Sequence, residues 1–274
     1  MRSWRARLMA VLVVVALAYA AWLAFLWAMQ DRILYPGAFG LVSPAPSEPP
    51  EGAQVLERRV EGGQVVAWLL PPMQGAGGVR GMVVHFHGNA ERIESWAHLL
   101  SPWRRAGYWV LLPEYRGYGQ AAGRPSQAAL VEDAAAFVAE ARSRIGASDG
   151  LLVYHGRSLG GAVAAQVSLH ETPSAVVLES TFTRLADLAR PMLVPPVMLR
   201  DGYDSLRALQ GADVPLLLLH GRSDEIIPFR HAERLSAALP RARLVPMACG
   251  HNDCPDDPGA YWRAIFTFME EVGP

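Results

Sequence analysis

The stretch Val153 to Gly161 reads VYHGRSLGG, and its reading decides the fold. A β-rich apolar run, Leu151 to His155, leads straight into Gly156-Arg157-Ser158-Leu159-Gly160-Gly161, and a helical pattern begins at Leu159 and continues to His170. This is G-x-S-x-G in the context it requires, with a strand before and a helix after. The turn is so sharp that a side chain two residues either side of the serine would collide with neighbouring backbone, which is why glycine stands at both places. Gly156 and Gly160 therefore mark an elbow that leaves the Ser158 hydroxyl exposed at the end of a sheet. The helix that follows aims its first N–H groups at any oxyanion formed there.

Outward from the elbow, short apolar runs alternate with longer helical patterns. GMVVHFH is followed by Arg92 to Ala106, YWVLLPEY by Gln127 to Ile145, VPLLLLHG by Arg230 to Leu239, and ARLVPM by Gly259 to Glu271, with SAVVLES between the elbow helix and VPLLLLHG. Such continuous apolar strands are buried on both faces, as in a parallel sheet covered by helices. Upstream, QVLERRV and QVVAWLL flank Glu61-Gly62-Gly63 and read as an antiparallel hairpin. The fold expected is α/β: a mostly parallel, doubly wound sheet with an N-terminal antiparallel hairpin. One segment, Thr181 to Val214, breaks the alternation with RPMLVPPVMLRDGYD and is expected to form a small cap over the site.

A serine hydroxyl is a weak nucleophile at neutral pH and needs a base, itself oriented by an acid. Where an elbow carries the nucleophile, the chain order is serine, acid, histidine. Of the histidines past Ser158, His170 ends the elbow's own helix, His220 ends a strand where it orders a loop, and His231 lies in FRHAER on an exposed helical face. His251 follows the last strand on a glycine-preceded loop that can return to the elbow, so it is the expected base. Asp224, in the tight loop GRSDEIIP after the penultimate strand, is the expected acid, ahead of Glu179, Asp204 and Glu225. Two oxyanion donors are expected: the N–H of Leu159, and that of Asn89 or else Ala90, after the close turn allowed by Gly88. His85 and His155 read as satisfied core or strand-end residues.

The stretch MACGHNDC holds the only two cysteines of the chain, Cys249 and Cys254, around His251. A zinc site would need a fourth ligand and would engage the histidine the serine requires, so no metal is expected. A disulfide that closes a small loop around His251 is the preferred reading, with two free thiols as the alternative.

The 274 residues are 51% hydrophobic and suffice for one substantial core. All 25 basic residues are arginine, yet they form no cluster of the kind a nucleic-acid footprint needs. The N-terminus differs in texture: MRSWRAR carries three arginines, and Leu8 to Met29 follows without a charge. At about 1.5 Å per residue this run crosses a hydrocarbon core of roughly 30 Å. Residues 1–30 are thus expected to be a retained signal anchor, 31–53 a Pro-rich connector, and 54–274 the catalytic domain, with 181–214 as its cap. The charge before the run places the N-terminus in the cytoplasm and the domain outside, in a periplasmic or extracellular space. The alternative is a secreted domain released by cleavage after ALAYA, at Ala20.

HFHGNA, PEYRGYG, GRSLGG, ESTFT, LLLLHGRSDEIIPF and GHND, in that order, resemble the α/β-hydrolase superfamily, and more narrowly its membrane-anchored α/β-hydrolase domain-containing branch. The resemblance spans Gln30 to the C-terminus and implies Ser158 as nucleophile, Asp224 as acid and His251 as base. Two departures adjoin the site: Glu114 stands where the family usually has aspartate, and QAAGRPS lacks the usual serine. The expected activity is acyl ester or thioester hydrolysis through an acyl-enzyme, on a small-molecule or lipid-derived substrate and without a cofactor. A serine peptidase of the same fold and a catalytically silent membrane-anchored binding module are the alternatives.

Overall fold

The computed structural model describes residues 2–41, 48–146 and 150–273. The expected connector, 31–53, falls partly on 42–47, outside the described residues. The chain runs α1 (Arg2–Leu34), β1 (Gln54–Val60), β2 (Gly63–Leu70), β3 (Gly81–Phe86), α2 (Ile93–Leu99), α3 (Ser101–Arg105), β4 (Tyr108–Pro113), α4 (Gln127–Ile145) and β5 (Leu151–Arg157). It continues with α5 (Leu159–Val167), β6 (Ala175–Glu179), α6 (Leu185–Ala189), α7 (Ser205–Ala212), β7 (Leu216–Gly221), α8 (Arg230–Ala238), β8 (Ala242–Met247) and α9 (Pro258–Val272).

The strands form one sheet in the order β1-β2-β4-β3-β5-β6-β7-β8. β1 and β2 pair antiparallel, β2 joins β4 antiparallel, and every pair from β4 to β8 is parallel, as the apolar texture predicts. Every residue of β3 and β7 is buried because helices cover both faces. One face carries a cluster that includes Phe137, Val163 and Leu235; the other carries Trp103, Ile265 and Phe268. β8 is an edge strand, which is why it tolerates Pro246, a residue with no N–H to donate.

The helices begin and end where local chemistry dictates. The Ser126 hydroxyl accepts from Ala129 N at 3.2 Å to start α4, which stops at Gly146 in the left-handed region. Asp257 accepts from Ala260 N at 2.9 Å, and Pro258 occupies the first turn of α9. The helix expected over Arg92 to Ala106 is broken at Leu100 into α2 and α3. Pro102 is the reason, since it cannot donate to the carbonyl four residues back and its ring crowds that carbonyl.

α1 stands apart from these layers. An 18-residue window within its stretch Trp4–Leu34 has a mean hydropathy of 2.5, and the stretch is long and apolar enough to span a membrane. The last third of α1 leans on the segment after α6: Gln30 Nε2 donates to Met198 O at 2.9 Å, and the Arg200 guanidinium pairs with Asp31 at 3.0 Å. Beyond α1, the Tyr35 hydroxyl donates to Asp201 at 2.7 Å and ties the chain's descent from the helix to the far end of that segment.

Candidate active site

β5 ends at Arg157, and Ser158 turns the chain with φ 54° and ψ −120°, a conformation non-glycine residues rarely adopt. The turn is held from both sides: Ser158 N donates to Glu179 O at 2.8 Å, and Thr181 Oγ1 donates to Ser158 O at 2.8 Å. A Cβ on Gly156 would stand 2.5 Å from Gly160 O, and one on Gly160 would strike the backbone of Phe86. Both glycines are therefore fixed by close backbone approach.

His251 stands between Ser158 and Asp224. Its Nε2 is 3.0 Å from Ser158 Oγ, and its Nδ1 is 2.7 Å from Asp224 Oδ2. With Nδ1–H donating to the carboxylate, Nε2 presents a lone pair to the serine hydroxyl. Asp224 Oδ1 accepts from Ile226 N at 3.0 Å and Ile227 N at 2.7 Å. Burial raises the Asp224 carboxyl, but the hydrogen bonds from His220, His251 and Ile227 N outweigh it and hold the group well below the usual carboxylate range. His220 donates to Ile227 O at 2.7 Å and so shapes the acid's loop.

The rival acids are engaged elsewhere. Glu179 is buried, accepting from Arg157 Nε at 2.9 Å and Tyr261 OH at 2.9 Å. Asp204 caps α7 through Arg207 N at 3.0 Å, and Glu225 is exposed. His170 is exposed as well.

The loop after β3 is built on a buried ion pair. His87 Nε2 lies 2.8 Å from Glu114 Oε1, and its Nδ1 lies 2.8 Å from Gly88 O. Both ring nitrogens face acceptors, which suits an imidazolium. Burial alone would lower the His87 pKa; the charge and hydrogen bond of Glu114 reverse this and raise it. The carbonyl of Gly88 shares its peptide plane with the N–H of Asn89, so His87 fixes that donor's orientation. The Asn89 carbonyl is held by Gly37 N at 3.1 Å and Tyr118 OH at 2.9 Å, which fixes Ala90 N–H in the same way. Gly88 N donates to Glu91 Oε2 at 2.6 Å.

Two histidines differ from their sequence reading. His231 is buried, not on an exposed face, and its Nδ1 meets Thr183 Oγ1 at 3.0 Å because α8 turns that side inward. His85 is buried with neither ring nitrogen hydrogen-bonded among the described residues; its ring lies tilted against Trp96 with centroids 4.1 Å apart. Burial lowers its pKa well below the ordinary value and keeps the ring neutral. His155 is satisfied, taking Trp103 Nε1–H at 3.2 Å and meeting Tyr261 OH at 2.9 Å.

Cys249 and Cys254 are joined in a disulfide with their Cα atoms 5.2 Å apart, and His251 lies inside the loop they close. A Cβ on Gly221, at the end of β7, would strike Cys249 O, so this loop packs directly on the strand that leads to the acid.

A cavity of about 860 Å³ opens over Ser158, with Asn89, Leu159 and His251 in its wall. This lies in the upper part of the range of small-molecule clefts. Its other walls are mostly apolar and include Phe182, Leu188 and Ile226, and also Leu26 and Leu34 of α1. Sequence reasoning missed two features: α1 as part of the wall, and the network of Arg157 with Glu179, Glu91 and the carbonyl of His251. The motif leaves its second position free, so nothing in GRSLG marks Arg157, and the uniform apolarity of α1 conceals which of its faces meets the domain.

Comparison with known proteins agrees with this architecture. Residues 77–200 match the family model described as "Serine aminopeptidase, S33". An uncharacterized protein of Mycobacterium tuberculosis is 34% identical over 254 residues, covering 91% of this chain and 90% of its own. The α/β-hydrolase domain-containing protein WAV2 of Arabidopsis thaliana is 28% identical and covers 93% and 92% of the two chains. Among solved structures, Thermogutta terrifontis esterase 2 phosphoramylated by tabun superposes with a TM-score of 0.64 at 18% identity, over 83% of this chain and 97% of that one. The likeness is one of fold.

Proposed function

We propose that this chain, which belongs to the α/β-hydrolase superfamily, is a serine hydrolase that cleaves acyl esters or thioesters through a covalent acyl-enzyme. One observation carries the reading: the unbroken hydrogen-bonded series Ser158–His251–Asp224 at the mouth of an apolar cavity. In the first step Ser158 Oγ bonds to the carbonyl carbon of the substrate while its proton passes to His251 Nε2. The Asp224 carboxylate stabilises the imidazolium that results, and the N–H groups of Asn89 and Leu159 receive the oxyanion. The tetrahedral species collapses by breaking the bond to the leaving oxygen or sulfur, which takes the proton from His251. Water then adds to the acyl-enzyme by the same path, with its proton going to His251 and on to Ser158 Oγ as the carboxylic acid leaves.

Residues 1–30 serve in this reading as a retained single-pass anchor, 31–53 as the connector, and 54–274 as the hydrolase domain with its cap at 181–214. The arginines before the apolar run favour a cytoplasmic N-terminus and an exported domain. The disulfide fits an oxidising compartment. A reporter fused to the C-terminus that works only in the cytoplasm would overturn this topology.

The test of the chemistry is labelling by a fluorophosphonate probe, the kind of phosphorus chemistry that has modified the esterase of like fold. The wild type is expected to label and Ser158→Ala is not; a folded wild type that does not label would leave the silent binding module. The description of the family model favours a peptidase as the second reading. Parallel assays on p-nitrophenyl acyl esters and on aminoacyl p-nitroanilides separate the two, with esters expected to turn over faster.

A further inference from the structure

Between Arg190 and Arg200 the chain reads PMLVPPVML, nine residues without a charge. Much of this loop is left uncovered by the domain. Val197 is 91% exposed, Leu193 68% and Met192 44%. Water would make so exposed an apolar loop costly.

The loop lies against α1. The hydroxyl of Tyr19 donates to Leu193 O at 2.7 Å, Trp22 Nε1 donates to Met192 O at 2.9 Å, and Gln30 Nε2 donates to Met198 O at 2.9 Å. From Tyr19 to Gln30 is roughly 16 Å along a helix axis. The loop therefore runs beside the apolar part of α1 and not beyond its end. A bilayer that takes up Leu8 to Met29 takes the loop with it, at least to the level of Tyr19. Hydrocarbon tolerates non-helical backbone only where its polar groups are satisfied internally. Here three carbonyls are satisfied by side chains of the anchor, and three prolines, Pro191, Pro195 and Pro196, bring no N–H to satisfy. At the end of the loop Arg200 leaves the apolar zone, stacked 4.3 Å over Trp27 and paired with Asp31.

Helix and loop share a cavity with the serine. Leu23, Leu26 and Trp27 of α1 line it, as do Met192, Val194 and Met198 of the loop, and Ser158 stands in the same wall. We propose that residues 191–199 and the part of α1 beside them, Tyr19 to Met29, are immersed in the leaflet next to the domain, and that the cavity between them admits the acyl chain of a bilayer lipid ester sideways to Ser158. The substrate class is thus a lipid ester resident in the same membrane, its chain lying along α1 and its ester at the elbow. The proposal rests on the serine-hydrolase reading.

The test uses the full chain in phosphatidylcholine proteoliposomes. A long-chain alkyl fluorophosphonate with a diazirine at the chain end is reacted and then irradiated. Labelling of Ser158 followed by crosslinks within 19–34 or 190–200 is expected. Labelling of Ser158 with crosslinks only to the rest of the domain overturns the acyl route but spares the hydrolase reading, whereas absence of any Ser158 adduct overturns both. A fluorogenic long-chain glycerolipid ester is then placed either in the enzyme's own vesicles or in separate ones. Hydrolysis at least tenfold faster in the same vesicles is expected, and equal rates overturn lateral entry. Val197→Asp, at a highly exposed position that folding tolerates, is expected to lower the ratio of long-chain bilayer ester to soluble short-chain ester hydrolysis about tenfold; an unchanged ratio overturns immersion of the loop.

Discussion

The guanidinium of Arg157 donates to the backbone carbonyl of His251 at 2.7 Å across 94 residues of chain. The same side chain is bound to Glu179 and Glu91, so the residue before the serine also sets the height of the histidine. Burial opposes its charge, but the two carboxylates prevail and raise its pKa. Arg157→Leu strands the buried Glu179, and removing one partner of such a pair costs about 3–5 kcal/mol. A large fall in thermal midpoint is expected, together with a fall in kcat greater than the rise in KM. Arg157→Lys, which keeps the charge without the planar fork, should recover more of the midpoint than of kcat.

Asp224→Asn preserves shape but removes the charge that orients and stabilises His251. Steady-state ester kinetics should show a loss in kcat of roughly 10⁴-fold with little change in KM. A loss under tenfold would show that another group acts as the acid.

Glu114→Gln removes the charge that keeps His87 protonated while it holds the Gly88 carbonyl. The expected result is a drop in kcat of about 10²-fold, the size that follows loss of an oxyanion donor, without a matching rise in KM. Glu114→Asp should retain more activity than Glu114→Gln, and the reverse order would show that the ion pair does not position the loop.

His155 is buried neutral, its pKa pushed down to about 3 by burial. The unfolded chain takes up this proton as pH falls below about 6.5, while the folded chain resists until near 3. Its contribution is therefore complete above the unfolded value and lost across that window, at about 1.4 kcal/mol per pH unit. Denaturation between pH 6 and 4 should lose this share of its slope in His155→Gln, whatever the offset in absolute stability.

Cys249 and Cys254 close a loop too short to restrict the unfolded chain by more than about 2 kcal/mol. The paired change Cys249→Ser with Cys254→Ser should lower the midpoint by only a few degrees but reduce kcat several-fold, because His251 lies within the loop. A midpoint collapse with unaltered kcat in the surviving fold would reverse this assignment.

The sheet was legible because burial on both faces writes itself as uninterrupted apolar runs, as in LLLLHG and GMVVHF. The elbow was legible because steric crowding leaves glycine little substitute at Gly156 and Gly160. The meeting of Ser158, Asp224 and His251 followed from loop positions at one end of that sheet. Partnerships across long separations left no local mark: Arg157 with the His251 carbonyl, Glu114 with His87, and Tyr261 with both His155 and Glu179. His231 misled because a helix only nine residues long, flanked by arginines, reads as solvated on every side. The break at Leu100 was readable from Pro102, whose effect reaches back along the chain.

Because Leu26 and Leu34 stand in the cavity wall, the N-terminal helix helps to enclose the space above Ser158. A chain begun after Leu34 would keep the elbow with Asp224 and His251, and would present one side of its chamber open to solvent. On the serine-hydrolase reading, its turnover of a tiny ester would report on the chemistry alone, and its ranking of larger substrates would describe a different chamber from that of the full chain.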